Sequence, residues 1–299
     1  MKSILMGSVV TSKIVLEEMI QIGFPVDMVF SLDEEFSKDV SGYYPIHEIA
    51  YSYGIPYKKF KKISTEENIE LINKIQPDYI FVIGLSQLID KRILDIPVKG
   101  CIGFHPTPLP KFRGRAAMVW QVLLGVHDTK CTLFMLDEGM DSGDIVGQEP
   151  YVIEDSDYAI DIEKKLCTAL KVLVNRVLNE MMLGILVPRK QDESKATYLL
   201  IRRPEDGLID WKESVQSIHK LIRAVSRPYP GAFGLYDGKH KIIIWRAEIK
   251  QNTNIIGIPG QICRIERDYF DVLGYDGIMR VTEFSNVDEV DIFVGHKLK

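Results

Sequence analysis

The sequence predicts an α/β chain: a Rossmann-like domain on a parallel sheet over residues 1–187, a linker over 188–204, and a small OB-like β-barrel over 205–299. Three observations carry that expectation. Short apolar runs alternate with amphipathic stretches through the first half, the rhythm of strands joined by crossover helices. A charged, turn-rich stretch without clear periodicity follows, PRKQDESKATYLLIRRPEDG. Beyond it the pattern becomes strand, turn, strand, with Asp-Gly pairs that suit hairpin turns.

The apolar start, MKSILMGSVV, is too brief for a secretory leader and lacks a clear small-residue cleavage site, so SILMG is expected as a buried first strand. VDMVFSL, IPYKKF, YIFVIGL and GCIGF follow as strands. TSKIVLEEMIQIG, PIHEIAYSYG, TEENIELINKIQ and SQLIDKRILDI read as the helices or helical turns between them. RAAMVWQVLLG adds a helix, and CTLFMLD and DIVGQEPYVI are strands flanking a loop. A long helix closes the domain. In it Ile162, Leu166, Leu170, Leu173 and Val177 recur three or four apart, as a packed face requires. In the second half a helix is expected to open at Asp210, with Glu213 completing a partial capping box. Val215, Ile218, Leu221, Ile222 and Val225 form its apolar stripe, and PYPG ends it. AFGLY and KHKIIIWRAEI flank Asp237-Gly238 as a hairpin, and the text around Asp276-Gly277 repeats the style.

Composition narrows the function. Hydrophobic residues make up 46% of the 299 and charged residues 26%, an ordinary globular balance with ample core. No apolar run approaches the roughly 20 residues of a membrane span. Cys101, Cys131, Cys167 and Cys263 lie far apart with no CxxC pair, which suggests reduced thiols in the cytoplasm, neither a disulfide framework nor a metal site. A net charge of −5 argues against nucleic acid as the main partner. A dinucleotide fingerprint, a Walker loop, a GxSxG elbow and an HExxH helix are all missing from the text.

Two stretches carry chemistry. GFHPTPLPKFRGR, residues 103–115, places His105 at the end of a predicted strand, where open α/β sheets bind ligands. Pro106, Pro108 and Pro110 stiffen the loop, and Gly103 and Gly114 permit close backbone approach. Such a loop can hold a catalytic imidazole still; the plainer alternative is a histidine that only satisfies a nearby carbonyl. LDEGMDSGD, residues 136–144, sets four carboxylates among two glycines. Its spacing is wrong for an EF-hand, and its acids could form a solvated turn. Folded back over the sheet, however, Asp141 would face His105, raise its pKa, and make a proton-shuttling pair near neutral pH.

These residues resemble the N10-formyltetrahydrofolate-dependent formyltransferases. That family has Asn-x-His, a proline-bearing loop with an Arg-Gly pair, and an aspartate in a D-[ST]-G-like segment. The matching text is G-F-H-P-T-P-L-P-K-F-R-G-R and DEGMDSGD, with His105 and Asp141 36 residues apart. RRPEDGLIDW and IRAVSRPYPGAF are similar to the start of the second domain in two-domain members, so the likeness covers nearly the whole chain. One departure matters: the family asparagine falls on Gly103. A backbone N–H, or a side chain such as Gln87, would have to stand in for it, or activity would be weak.

The resemblance implies transfer of a formyl group, a one-carbon unit, from N10 of the folate co-substrate to a primary amine. His105, as imidazolium, would stabilise the oxyanion or protonate the leaving nitrogen; Asp141 would tune it and accept the amine's proton. The folate would lie along Gln87, Leu88 and Ile89 and against Asp137, Glu138, Gly139 and Met140, with Arg115 as a further ligand. No metal is implied. An amino sugar carried on a nucleotide is the expected acceptor, with methionyl-tRNA the alternative and a non-catalytic folate-binding protein the second. The expected setting is the cytoplasm, away from membranes, and a homodimer is among the assemblies left open.

Overall fold

The structure, a computed structural model, describes residues 1–38, 40–85, 87–251 and 254–299. In chain order the first strands and helices are β1 (Ser3–Gly7), α1 (Val10–Gln21), β2 (Met28–Leu32), α2 (Ile46–Ser52), β3 (Tyr57–Phe60), α3 (Glu66–Ile75), β4 (Tyr79–Ile83), α4 (Lys91–Leu94) and β5 (Gly100–His105). There follow β6 (Arg113–Gly114), α5 (Ala117–Leu123), β7 (Asp128–Met135), β8 (Ile145–Val152), α6 (Ala159–Leu183) and β9 (Tyr198–Leu199). Last come α7 (Val215–Val225), β10 (Ala232–Tyr236), β11 (His240–Lys250), β12 (Ile262–Ile265), β13 (Phe270–Leu273) and β14 (Ile278–Asn286).

Seven strands form one mixed sheet in the order β3-β2-β1-β4-β5-β7-β8. The first five are parallel, and β7 and β8 continue antiparallel from β5. Every residue of β1, β2 and β4 is buried, as expected of parallel strands covered on both faces. Ile4, Met6, Phe30, Ile72, Ile80, Val82 and Ile93 make the core on one side. Within α6 the expected face is buried at Leu166, Leu170, Leu173 and Val177. A Cβ on Gly147 of β8 would meet Leu173 and Val177, so glycine there lets helix and strand approach closely.

Five strands form a second, antiparallel sheet in the order β10-β11-β14-β13-β12. The C-terminal residues join its edges: Leu298 bridges Tyr236, and Lys297 bridges Gln261. That closure gives the small barrel expected from sequence. Asp237 and Gly238 both take positive φ, 50° and 76°, as a tight hairpin turn demands. The helix expected from Asp210 begins later. Ser214 caps α7 by accepting from the Ser217 N–H, while the Asp210 carboxylate caps a separate turn through Lys212. An acid three residues before a charged residue mimicked a helix start, but the hydroxyl at 214 is the residue that satisfies the helix donors.

The chain divides into two compact units, one of residues 1–117, 128–152 and 163–199, the other of 118–127, 153–162 and 200–299. Residues 188–199, expected as linker, therefore belong to the first unit. Arg189 bridges Ile145, and β9 pairs in parallel with β6. Their polar side chains make long-range bonds rather than a face, which left no period to read.

Candidate active site

His105 is the last residue of β5, at the carboxyl end of the parallel strands. It is only 6% exposed. Its Nε2–H donates to the Phe112 carbonyl at 2.7 Å, which leaves Nδ1 as the acceptor nitrogen of the neutral ring. Nδ1 lies 3.7 Å from Asp141 Oδ2. Both readings of the histidine are thus met, one nitrogen satisfying a carbonyl and the other facing a carboxylate. Asp141 Oδ2 also accepts from the Gly114 N–H at 2.7 Å.

The expected rise in the pKa of His105 is not found. Burial pushes it below the ordinary 6.5, and the opposing pull of Asp141 only offsets part of that. The imidazole is therefore neutral at pH 7, a base before it is an acid. Burial also drives the Cys101 and Cys131 thiols up to about 12, so neither supplies a thiolate nucleophile.

The proline loop is held from below by β7 and β8. Thr132 Oγ1 donates to the Thr107 carbonyl, Gln148 Nε2 to that of Leu109, and Tyr151 Oη to that of Pro106. Three non-glycine residues around His105 take left-handed backbone angles: Phe112 at φ 64°, Ala116 at 55° and Asp141 at 52°. Each such residue costs on the order of 1 kcal/mol or more and persists only where its surroundings hold it. The 189–199 segment supplies the hold. Thr197 Oγ1 accepts from the Phe112 N–H, and the Arg113 N–H donates to the Thr197 carbonyl. Gln191 Nε2 donates to the carbonyls of Asp141 and Gly143.

The other expected site residues fall in three groups. Gln87 is committed to structure: Oε1 accepts from the Ile63 N–H and Nε2 donates to the Lys61 carbonyl, so its amide does not replace the missing asparagine. Leu88 is 89% exposed, whereas Ile89 packs on the core. Across from them, Asp137 ties its own loop through Gly139 N and Ser142 Oγ, Glu138 pairs with Lys91, and Met140 is exposed. The Lys91–Glu138 pair joins the start of α4 to the loop after β7. Arg115 is exposed, and its N–H bonds the Leu199 carbonyl.

Gly103 shares a sheet face with His105, two residues on. Its backbone lies in the sheet between β4 and β7, so its N–H cannot serve a ligand above the face. A Cβ added there would come 2.5 Å from Leu136 Cδ2. Leucine thus fills the space into which an asparagine side chain would extend.

A buried neutral imidazole with a carboxylate beside it, at the carboxyl end of the parallel strands, is an arrangement able to take up and return a proton. The chain belongs to the formyl transferase family. The profile of that family matches residues 38–178, and the profile of its C-terminal domain matches 202–289. A methionyl-tRNA formyltransferase of Citrifermentans bemidjiense is 31% identical over 260 residues, 85% of this chain and 80% of that one. Among solved structures, an N-formyltransferase from Helicobacter canadensis in complex with folinic acid and dTDP-3-aminofucose matches with a TM-score of 0.69 at 19% identity, over 95% of this chain and 100% of that one. A methionyl-tRNA formyltransferase from Clostridium thermocellum matches at 0.62 and 23%, over 93% and 100%. HypX from Aquifex aeolicus in complex with tetrahydrofolic acid matches at 0.70 and 16% over 95% of this chain, which spans 44% of the length of HypX.

Sequence reasoning missed Arg113 and Gln191. Arg113 is 1% exposed and accounts for its guanidinium with Glu193, Gln191 and Tyr198. An arginine in a proline loop and a glutamine in a charged stretch carry no local signal of meeting.

Proposed function

We propose that this protein transfers the formyl group of N10-formyltetrahydrofolate to the primary amine of a nucleotide-linked amino sugar. The observation that carries the chemistry is the neutral His105 Nδ1 facing Asp141. The amine nitrogen attacks the formyl carbon, forming the new C–N bond and moving the carbonyl electrons onto oxygen. His105 Nδ1 takes the proton the amine loses, and Asp141 stabilises the imidazolium that results. The Nδ1–H so formed is the donor for the oxyanion, a task Gly103 and Gln87 do not perform. It then protonates the N10 nitrogen as that bond breaks, which restores the neutral ring. The folate is assigned to the surface of residues 87–89 and 137–140, where the exposed Leu88 and Met140 offer apolar area to a flat heterocycle.

The second unit favours a small acceptor. Residues 205–299 hold 13 Lys and Arg against 14 Asp and Glu, a balance of −1. Several of those cations are already paired: Arg227 and Arg246 with Glu283, Arg280 with Asp271, and Lys250 with Glu248. RNA affinity rests chiefly on phosphate contacts by Lys and Arg, and this unit has no net basic excess to supply them. The 31% identity to a methionyl-tRNA formyltransferase supports the second reading, formylation of charged tRNA. A side-by-side assay with dTDP- and UDP-linked amino sugars and with methionyl-tRNA decides between them. Turnover of a sugar with weak, salt-independent use of tRNA is expected. Efficient, salt-sensitive formylation of tRNA with no sugar accepted overturns the proposal.

A further inference from the structure

We infer that Gln191 is a positioning residue for the catalytic pair, a clamp that sets the Asp141 carboxylate against His105. The inference rests on the proposed acid–base role of those two residues and extends it to a segment outside both motifs. Gln191 uses both ends of its amide. Nε2 donates to the carbonyls of Asp141 at 2.8 Å and Gly143 at 2.7 Å. Oε1 accepts from Arg113 Nη2 at 2.8 Å and Nε at 3.2 Å.

The geometry shows why a clamp is needed there. Strand β7 runs antiparallel to β5, so the chain leaves the sheet after Met135 at the level of Ile102 and Cys101, away from His105. Loop 136–144 must travel back along the sheet face before Asp141 can meet the imidazole. Asp141 arrives with φ at 52°, in the left-handed region, which is unfavourable for a residue with a side chain and is held by its bonds to neighbours. The Gly114 N–H fixes its carboxylate and Gln191 fixes its backbone.

The other end of the clamp is tied to the histidine. Arg113 directly follows Phe112, whose carbonyl accepts from His105 Nε2. The buried guanidinium is immobilised by a two-pronged bond to Glu193 and by Tyr198 Oη. One short path, Phe112–Arg113–Gln191–Asp141, therefore fixes both partners of the pair relative to each other. Asp141 is the charged group that acts on the imidazole, and burial and the Phe112 carbonyl are the other influences upon it.

The test uses Gln191→Met, which removes both ends of the amide, and Gln191→Asn, which keeps the amide but is one methylene too short to span it. Both are neutral, so neither adds a charge near His105. The His105 ring is followed by NMR titration, its signal among the 6 histidines assigned with His105→Ala. With the clamp gone Asp141 drifts from Nδ1, so the His105 midpoint moves down toward that of Asp141→Asn. In parallel, kcat falls about 100-fold, the size of loss that a misplacement of about 1 Å brings, while KM for the folate stays within about threefold of the parent. Tyr198→Phe is the control: it takes one bond from Arg113 and leaves those of Gln191, so the His105 midpoint stays parental. A parental midpoint and a kcat within about threefold in both Gln191 variants overturn the inference, as does a downward shift of equal size in Tyr198→Phe. If the parent transfers no formyl group to any amine, the proposed function fails while the titration still reads the clamp.

Discussion

His105 Nδ1 lies 3.7 Å from Asp141 Oδ2, just beyond a direct hydrogen bond, while Nε2 of the same ring is engaged by the Phe112 carbonyl. The free nitrogen and the carboxylate are both acceptors when the ring is neutral. A donor placed between them satisfies both, and an attacking amine carries the N–H groups to do so. Under the proposed function, the pair receives a proton from the bound nucleophile rather than sharing one between themselves.

His105→Ala should remove most transfer activity, since general acid–base groups commonly contribute 10²–10⁴-fold. The change strips a hydrogen-bond donor from the Phe112 carbonyl and should cost about 1–3 kcal/mol of stability, leaving the fold intact. Turnover within about threefold of the parent, measured with the accepted amine, would make the histidine structural.

The pH dependence of kcat tests the neutral ring. Burial places the His105 pKa below 6.5, so activity should persist down through pH 6.5 and be lost beneath it as the ring protonates. Asp141 raises that pKa, so Asp141→Asn should shift the residual activity's acid limb to lower pH still. A limb above 6.5 in the parent, or an upward move in the variant, contradicts the assignment.

Stability should follow the same sign. His105 and His219 are both held below their ordinary pKa, chiefly by burial, so the unfolded chain binds more protons than the folded one once the pH drops beneath about 6.5. Their contribution is fully present above that value and declines as the pH falls below it. Thermal unfolding of the parent and of His219→Gln across that range checks this: the variant should show the shallower fall.

Much of the architecture was legible because it is periodic. The apolar runs that became β1, β2, β4 and β5, and the stripe on α6, are local patterns that burial alone selects. His105 and Asp141 were legible as candidates because a strand end, prolines and glycines punctuate them. The return of loop 136–144 to His105 was not, since it depends on β7 being antiparallel. Nor was the pKa direction, because a nearby carboxylate can be guessed from motifs but near-complete burial of a ring cannot. Residues 188–199 carry the clearest lesson. Gln191, Glu193, Thr197 and Tyr198 look like solvated linker in the text, yet each is bonded to the site loops from about 80 residues away.

Gly103 offers the sharpest test of how this site departs from its family. A side chain at that position must displace Leu136, whose Cδ2 lies 2.5 Å from where the Cβ would sit; Phe134 Cε1 is 3.1 Å away. Leu136 is only half-buried, at the start of the loop that carries Asp141, so it can yield, but only by shifting that loop. Overpacking of this kind typically costs about 1–3 kcal/mol. Gly103→Asn alone should therefore lower both stability and kcat, because the displaced Leu136 drags Asp141 from His105. Leu136→Ala alone should lose some packing with little effect on kcat. Combined, the two should fit: the alanine opens the space, and the amide gains a place from which to donate to the developing oxyanion. The double variant's kcat should exceed that of Gly103→Asn by more than the single effects predict, a coupling read directly from a double-mutant cycle. If the two changes simply add, Leu136 is not the occupant that matters, and His105 alone must be credited with the oxyanion.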